Sequence, residues 1–171
     1  MSKRKNRLQN SYYARDAVPM DVASLTSLCS EFFEEAGWQQ FTEFDEEKSN
    51  GHFSYTLEQP LEHTGCFIIM LDDYKNSCPV GFIKCIIQDG VCKDRLGVLD
   101  AVYVKPEHRL SAAGRILFQT AEYKLKAYGC AAFFASPGAM MGQVDKSMAN
   151  MLRKLSFEHK SVSLTKVFKE L

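Results

Sequence analysis

The chain has 171 residues, of which 46% are hydrophobic and 12% aromatic, and this length and composition predict a single domain with one sizeable core. Its 21 lysine and arginine residues balance 21 aspartate and glutamate residues, so the formal net charge is zero. A balanced charge argues against a general nucleic-acid coat protein or a polybasic membrane binder, both of which need a large positive excess.

The sequence carries no recognisable export, membrane or metal signal. The apolar runs at residues 66–71 and 131–135 are too short to span a bilayer, and the basic start at residues 1–5 is not followed by an apolar segment. The six cysteines form no C-x-x-C pair and no zinc-finger spacing with histidine, so no metal site is predicted. We therefore expect a cytoplasmic protein with reduced thiols.

The first part of the chain predicts one strand and two helices. Residues 12–17 read as a short strand, and Asp21 follows as the N-cap of a helix that stops near Gly37. Residues 38–48 predict a loop or short helix, and a weaker helix follows residue 51 and ends before Pro60. The apolar positions of the first helix recur at intervals of three to four residues: Val22, Leu25, Leu28, Phe32 and Phe33.

After residue 65 the apolar pattern becomes that of strands. Residues 65–71 and 80–88 predict a hairpin with a turn at residues 72–77, and residues 97–104 predict a third strand. A helix over residues 114–128 follows and is closed by Gly129.

The remaining elements complete a mixed pattern of helices and strands. Residues 131–135 predict a buried strand, Asp145 the N-cap of a helix through Leu155, and residues 157–168 one or two closing strands. This order predicts the α+β, or mixed α/β, class, with helices covering one twisted sheet.

The stretch from Leu99 to Arg115 is the most informative. It consists of a strand, a turn broken by Pro106, and small residues that open directly into a helix. The unpaired N–H groups and positive dipole end of such a helix can hold a phosphate, and Arg109 and Arg115 add positive charge beside it. An ordinary strand–loop–helix connection also favours small residues, so the motif alone leaves both interpretations open.

The pattern Val104-x-Pro106-x-x-Arg109-x-x-Ala112-x-Gly114 resembles the acetyl-CoA-binding motif of the GNAT superfamily of N-acetyltransferases. In that family [QR]-x-x-G-x-[GA] follows a strand that ends V-x-P. The similarity extends to residues 13–21, 79–83, 121–129 and 151–157, so it covers about residues 11–168. Within the family, the chain resembles the small bacterial and phage-type members.

The resemblance implies a fold and a domain organisation. We expect a GNAT-like twisted mixed β-sheet of six to seven strands, splayed between strands four and five and flanked by about four helices. Residues 1–10 are expected to form a flexible N-terminus, and residues 11–171 a single acetyltransferase domain.

The resemblance also implies acetyl-CoA as co-substrate. The backbone of the protein strand at residues 102–104 would pair with the pantetheine arm, which would lie along it as an added strand. The backbone N–H groups of the turn that follows this strand would surround the pyrophosphate. Ala112 stands where the family has its first glycine, which is a modest departure. The cofactor-binding residues predicted in this way are Val102, Tyr103, Val104, Arg109, Leu110, Ser111, Ala112, Ala113, Gly114 and Arg115.

Acetyl transfer to an amine needs an ammonium group to lose a proton, and Asp100 stands where many amine acetyltransferases carry an acidic residue. A backbone N–H of strand four would stabilise the charge on the thioester oxygen. Leu152 occupies the position of the family's usual general-acid tyrosine, Ser156 that of a glycine and Asp145 that of a common asparagine. Tyr103, on the strand beside the thioester, is the candidate replacement acid.

The predicted activity is therefore acetyl-CoA-dependent N-acetylation of a small-molecule or protein amine, without nucleic-acid or membrane partners. The alternative is a catalytically weak or inactive GNAT-fold binding protein that keeps the CoA cleft, and Leu152 favours this second hypothesis. Four closely spaced methionines are compatible with core filling, with an apolar wall of the acceptor site or with a homodimer interface, and a homodimer is therefore left open: Met140, Met141, Met148 and Met151. The acidic residues 43–47 and the aromatic Trp38, Phe41 and Phe44 are expected to be loop and packing residues rather than an acceptor site.

Overall fold

The computed structural model describes residues 11–89, 93–109, 111–135, 139–140, 143–144 and 146–157. The strands are β1 (Tyr12–Asp16), β2 (Cys66–Asp73), β3 (Cys78–Gln88), β4 (Arg95–Val104), β5 (Cys130–Phe134), β6 (Ala139–Met140) and β7 (Gln143–Val144). The helices are α1 (Val22–Glu35), α2 (Glu46–Glu58), α3 (Leu61–Thr64), α4 (Ala113–Ala127) and α5 (Lys146–Lys154).

The main sheet has the spatial order β1-β2-β3-β4-β5. Strands β1 to β4 pair antiparallel with their neighbours, whereas β4 and β5 are parallel because α4 carries the chain back across the sheet. The predicted α+β class and mixed sheet are confirmed.

The predicted count of six to seven strands in that sheet needs correction. Among the described residues the sheet has five strands, because β6 and β7 pair with each other as a separate hairpin. The closing strands predicted over residues 157–168 lie, apart from Phe157, outside the described residues.

Two apolar cores lie on the two faces of the sheet. Ile68 and Met70 of β2 pack with α1 and α2, whereas Ile69 and Leu71 of the same strand pack with α4. This alternation follows from the two-residue period of a strand. Helices α1 and α2 therefore cover one face and α4 the other, and α5 contributes Leu152 to the α4 side.

Two local predictions were inaccurate for physical reasons. Helix α2 begins at Glu46, earlier than residue 51, because the Asp45 side chain caps it by accepting a hydrogen bond from the Lys48 N–H at 2.9 Å. Strand β5 is not buried: Ala131, Ala132 and Phe134 are exposed, since β5 is the edge strand of the described sheet.

An ion pair fixes the start of α1 against the sheet. The guanidinium of Arg15 on β1 donates to both carboxylate oxygens of Asp21, at 2.7 and 2.8 Å, and to Asp72 on β2 at 2.6 Å. Asp21 also accepts from the Val18 N–H, and the hydrogen bonds from Arg15 hold the pKa of the Asp21 carboxyl below its usual range. Arg15 thus links Asp21, the residue before α1, to both β1 and β2.

Strands β3 and β4 approach each other so closely at Gly81 that no side chain fits there. A Cβ atom at Gly81 would lie 2.6 Å from the Tyr103 carbonyl oxygen and 3.2 Å from the Val104 Cα. Both contacts are with backbone, so relief would require the strands to move apart.

We predict that Gly81→Ala lowers the free energy of unfolding by about 1–3 kcal/mol through this clash. The matched control is Gly51→Ala in α2, where a Cβ would meet nothing within 4 Å. This control should raise stability by about 0.5–1 kcal/mol, since alanine is the better helix former. Urea unfolding of both variants checks the prediction, and equal effects of the two changes would contradict it.

Candidate functional site

Asp100 is the extra residue of a β-bulge. Lys84 of β3 pairs with Ala101 and Cys85 pairs with Leu99, so the register between β3 and β4 slips by one residue at Asp100. A bulge re-aims a side chain and leaves a backbone N–H outside the regular ladder. The predicted base therefore lies at an irregularity in the pairing of β3 and β4.

Asp100 is ion-paired with a buried lysine. Lys84 is only 9% exposed, and its Nζ lies 2.8 Å from Asp100 Oδ2 and 2.8 Å from Nε2 of His52 on α2. Burial and the charge of Lys84 lower the pKa of His52, so the imidazole is neutral and Nε2 accepts a hydrogen bond from the ammonium. The three side chains form a bridge from α2 to β4, which we call the His52–Lys84–Asp100 cluster.

Two members of this cluster, His52 and Lys84, are not among the residues predicted from the sequence. Lys84 is a lone charge inside the apolar run of β3, which is the signal that could have identified it. His52 has no such signal, because it reaches Lys84 from 32 residues away along the chain.

Strand β4 separates from β5 next to this cluster. The parallel pairing runs from Arg95 to Val98, whose partner is Phe134, and no described residue pairs with residues 99–104 on that side. The predicted binding residues Val102, Tyr103 and Val104 thus lie on a stretch of β4 whose neighbour, among the described strands, is β3 alone.

Tyr103 faces α1 rather than this open edge. Its hydroxyl donates to Glu31 Oε2 at 3.2 Å, and Glu31 also pairs with Lys105 Nζ at 3.1 Å. Burial, together with the charge of Glu31, raises the pKa of Tyr103 to about 12. The Tyr103 hydroxyl donates its hydrogen to the Glu31 carboxylate, so the geometry does not favour Tyr103 as the acid that protonates a leaving thiolate.

Arg109 is also tied to α1. Its guanidinium donates through both terminal nitrogens to the Glu35 carboxylate and through Nε to the Val104 carbonyl at 2.7 Å. It also lies over the Tyr103 ring, 5.4 Å from the centroid. Arg109 therefore braces the turn after β4, and Glu35 balances its charge.

The turn into α4 has the geometry of a helix start. The Ser111 hydroxyl accepts from the Ala113 N–H at 3.1 Å and donates to the His108 carbonyl. Ala112 has a φ of −78°, a conformation in which its methyl group causes no strain. Leu110, the remaining residue predicted in this turn, lies outside the described residues.

Arg115 and Gly114 occupy different sides of the first turn of α4. Arg115 is exposed and makes no ion pair with another described residue. A Cβ at Gly114 would lie 3.1 Å from Met151 Sδ, so this glycine allows α5 to approach α4. Of the two predicted arginines, Arg115 is therefore the one whose charge is not balanced by a described carboxylate.

Near the C-terminus, three residues differ from those usual in the family pattern. Leu152 is 4% exposed and belongs to the core under α4, so a tyrosine there would have to displace its neighbours. Ser156 has a φ of 65°, in the region that favours glycine. Asp145 lies outside the described residues.

Other candidates serve packing or capping. Trp38 packs edge-on against Phe32 and Phe33, although it is half exposed. Asp45 caps α2. Among the described residues, no cluster of three or more His, Cys, Asp or Glu side chains could hold a metal, and no helix is long and apolar enough to cross a membrane.

The sequence matches a known protein family, and the fold is similar to those of solved structures. The acetyltransferase (GNAT) family model matches residues 26–142. Among solved structures, an aminoglycoside acetyltransferase from an uncultured soil metagenomic sample, in complex with sisomicin, has a TM-score of 0.72 at 14% identity and covers 95% of this chain and 99% of its own. No curated protein sequence matches.

Two further structures agree in fold. Glucosamine-6-phosphate N-acetyltransferase from Arabidopsis thaliana has a TM-score of 0.67 at 14% identity, over 93% of this chain and 99% of its own. A predicted acetyltransferase from Clostridium acetobutylicum, solved with acetyl-CoA, has a TM-score of 0.67 at 13% identity, over 91% and 96%.

We predict that Glu35→Gln loosens the turn that Arg109 braces. The pair is partly exposed, so its loss should cost about 0.5–1 kcal/mol and speed amide hydrogen exchange at His108 and Arg109 by about two- to fivefold. Glu34→Gln, an exposed neighbour on the same helix, is the matched control. Identical exchange in the two variants would show that Glu35 does not brace the turn.

Proposed function

The chain belongs to the acetyltransferase (GNAT) family, and on that basis we propose that it transfers the acetyl group of acetyl-CoA to a primary amine by direct attack on the thioester. The observation that carries the proposal is the open edge of β4 beside the first turn of α4. Beyond Val98 the strand has no described neighbour on the β5 side, so an extended ligand can pair with it as an added strand.

The residues at this edge fit acetyl-CoA. In our proposal the backbone of Val102, Tyr103 and Val104 pairs with the pantetheine arm. The N–H groups of Gly114 and Arg115 have no intrahelical acceptor in the first turn of α4, and the Arg115 side chain adds a positive charge, so they would hold the pyrophosphate. Arg109 contributes indirectly by bracing the turn against Glu35.

The bulge supplies the groups that the transfer requires. The acceptor nitrogen attacks the carbonyl carbon, the C–N bond forms, the C–S bond breaks, and the thiolate leaves with the electron pair. A backbone N–H at the Asp100 bulge would donate to the thioester oxygen as it gains charge. Asp100 would take the proton that the nitrogen loses, directly or through water.

The leaving thiolate would take its proton from water in our proposal. The Tyr103 hydroxyl is bonded to Glu31, and the Leu152 side chain is buried in the core. Neither side chain therefore serves as an acid, and thiols are acidic enough to leave as thiolates. We assign Tyr103 a backbone role only.

We predict that Arg115→Ala weakens acetyl-CoA binding about tenfold, because one charge-assisted contact is lost. Lys75→Ala, which removes an exposed cation from the turn between β2 and β3, is the matched control and should leave the Kd unchanged. Isothermal titration calorimetry measures both. Equal Kd values for the two variants would contradict the placement of the pyrophosphate.

We predict that Asp100→Asn leaves acetyl-CoA binding intact but lowers kcat/KM for the amine by about 10²–10⁴-fold. Asp94→Asn, an exposed aspartate just before β4, is the matched control. The acceptor is first identified by thiol release with a panel of polyamines, aminoglycosides, amino sugars, lysine and peptide N-termini.

Two results would contradict this account of the chemistry. A wild-type rate in Asp100→Asn would remove Asp100 from it. If the wild-type protein binds acetyl-CoA and releases no thiol with any amine of the panel, the chain is a non-catalytic binding protein of this fold.

A further inference from the structure

The His52–Lys84–Asp100 cluster places a fixed positive charge beside the proposed base. We propose that Lys84 is a positioning residue that makes the site bind its acceptor as a neutral amine rather than as an ammonium ion, an inference that rests on the proposed function. Lys84 is buried and bound to Asp100, so in this proposal it acts by its charge and by fixing Asp100 rather than by contact with the acceptor.

An unpaired aspartate would have the opposite effect on the acceptor. A lone carboxylate attracts an ammonium ion and raises the pKa of that amine, which opposes nucleophilic attack. Here the Lys84 ammonium already binds Asp100 Oδ2 at 2.8 Å, so the pair carries no net charge. In this proposal the acceptor amine therefore lies beside a neutral Lys84–Asp100 ion pair rather than beside an unpaired carboxylate.

The distances place the acceptor within range of the lysine charge. An amine hydrogen-bonded to the other oxygen of Asp100 would lie about 4–6 Å from Lys84 Nζ, given ordinary hydrogen-bond lengths. At this range a like charge disfavours protonation of the amine. The neutral amine is the form that attacks the thioester.

The groups around Lys84 leave its charge in place. In the described part of the chain Lys84 contacts Asp100 of β4 and His52 of α2, and the charges of Lys84 and Asp100 act on Cys29 of α1 and Cys85 of β3, respectively. Burial raises the pKa of both thiols, that of Cys85 to about 12, and His52 is neutral. Asp100 is thus the one anion among these groups, and His52 fixes the ammonium by accepting its second hydrogen bond.

In this proposal the acceptor nitrogen loses its two protons in separate steps. The acceptor loses its first proton to solvent on binding, because the site favours the neutral form. As the C–N bond forms and the C–S bond breaks, the attacking nitrogen becomes positive and gives a second proton to Asp100, while the thiolate keeps the electron pair. Lys84 donates no proton in either step.

The test compares Lys84→Met, which removes the charge at similar length, with Lys84→Arg, which keeps it. The first readout is the pKa of His52 in the free protein by NMR. It should rise by about half a unit or more in Lys84→Met and stay low in Lys84→Arg, because the cationic neighbour depresses it. An unchanged His52 pKa in Lys84→Met would show that the cluster does not form, and would overturn the proposal.

The second readout is the pH dependence of kcat with the acceptor identified by the screen. In Lys84→Met the acid limb should move up by about 1–2 pH units, so that kcat at pH 7 falls about 10- to 100-fold while KM does not rise. Lys84→Arg should restore the wild-type limb. An acid limb at the wild-type pH in Lys84→Met would overturn the inference.

A probe amine separates this role from a structural one. 2,2,2-Trifluoroethylamine is already neutral at pH 7, so Lys84→Met should acetylate it at nearly the wild-type rate. An equal loss with both amines would show that the substitution only damages the site and would overturn the inference. If the wild-type protein acetylates no amine, the proposed function itself fails, and the His52 titration still reports separately on the cluster.

Discussion

Strand β4 pairs with β3 from Leu96 to Val104, apart from the bulge at Asp100, but with β5 only as far as Val98, and the arrangement of the site follows from this difference. The absence of a side chain at Gly81 lets the end of β4 lie close against β3. On the α1 side, Glu31 and Glu35 hold Tyr103, Lys105 and Arg109 through hydrogen bonds and ion pairs. The edge left open is therefore supported from both sides, as a preorganised binding surface requires.

Charges in the site come mostly in pairs. Lys84 is balanced by Asp100, Arg109 by Glu35 and Lys105 by Glu31, in keeping with the zero net charge of the whole chain. Each pair joins two different segments of the fold, and the pairs of Arg109 and Lys105 join α1 to the distant end of β4, so we expect the pairs to position backbone more than to attract ligands. Arg115 stands apart from these pairs, at the helix end where an anion is best stabilised.

The sequence predicted the order of elements well, because the helices and the strands have clear apolar periods. The errors fall where a neighbour decides the outcome. The exposure of β5 depends on which strand lies beside it, and the start of α2 on a cap formed by Asp45. The motif from Val104 to Gly114 predicted the turn that leads from β4 into α4, but not that Glu35 binds Arg109 from 74 residues away. The His52–Lys84–Asp100 cluster depends on a one-residue slip between β3 and β4, which no local pattern encodes.

The proposed binding mode can be tested by a crystal structure of the chain with acetyl-CoA. We predict that the pantetheine arm forms backbone hydrogen bonds with Val102 and Val104, and that the pyrophosphate lies on the N–H groups of Gly114 and Arg115. The thioester should then lie beside the Asp100 bulge. Binding of acetyl-CoA at any other surface, with the edge of β4 beyond Val98 unoccupied, would show that this edge is not the cofactor site.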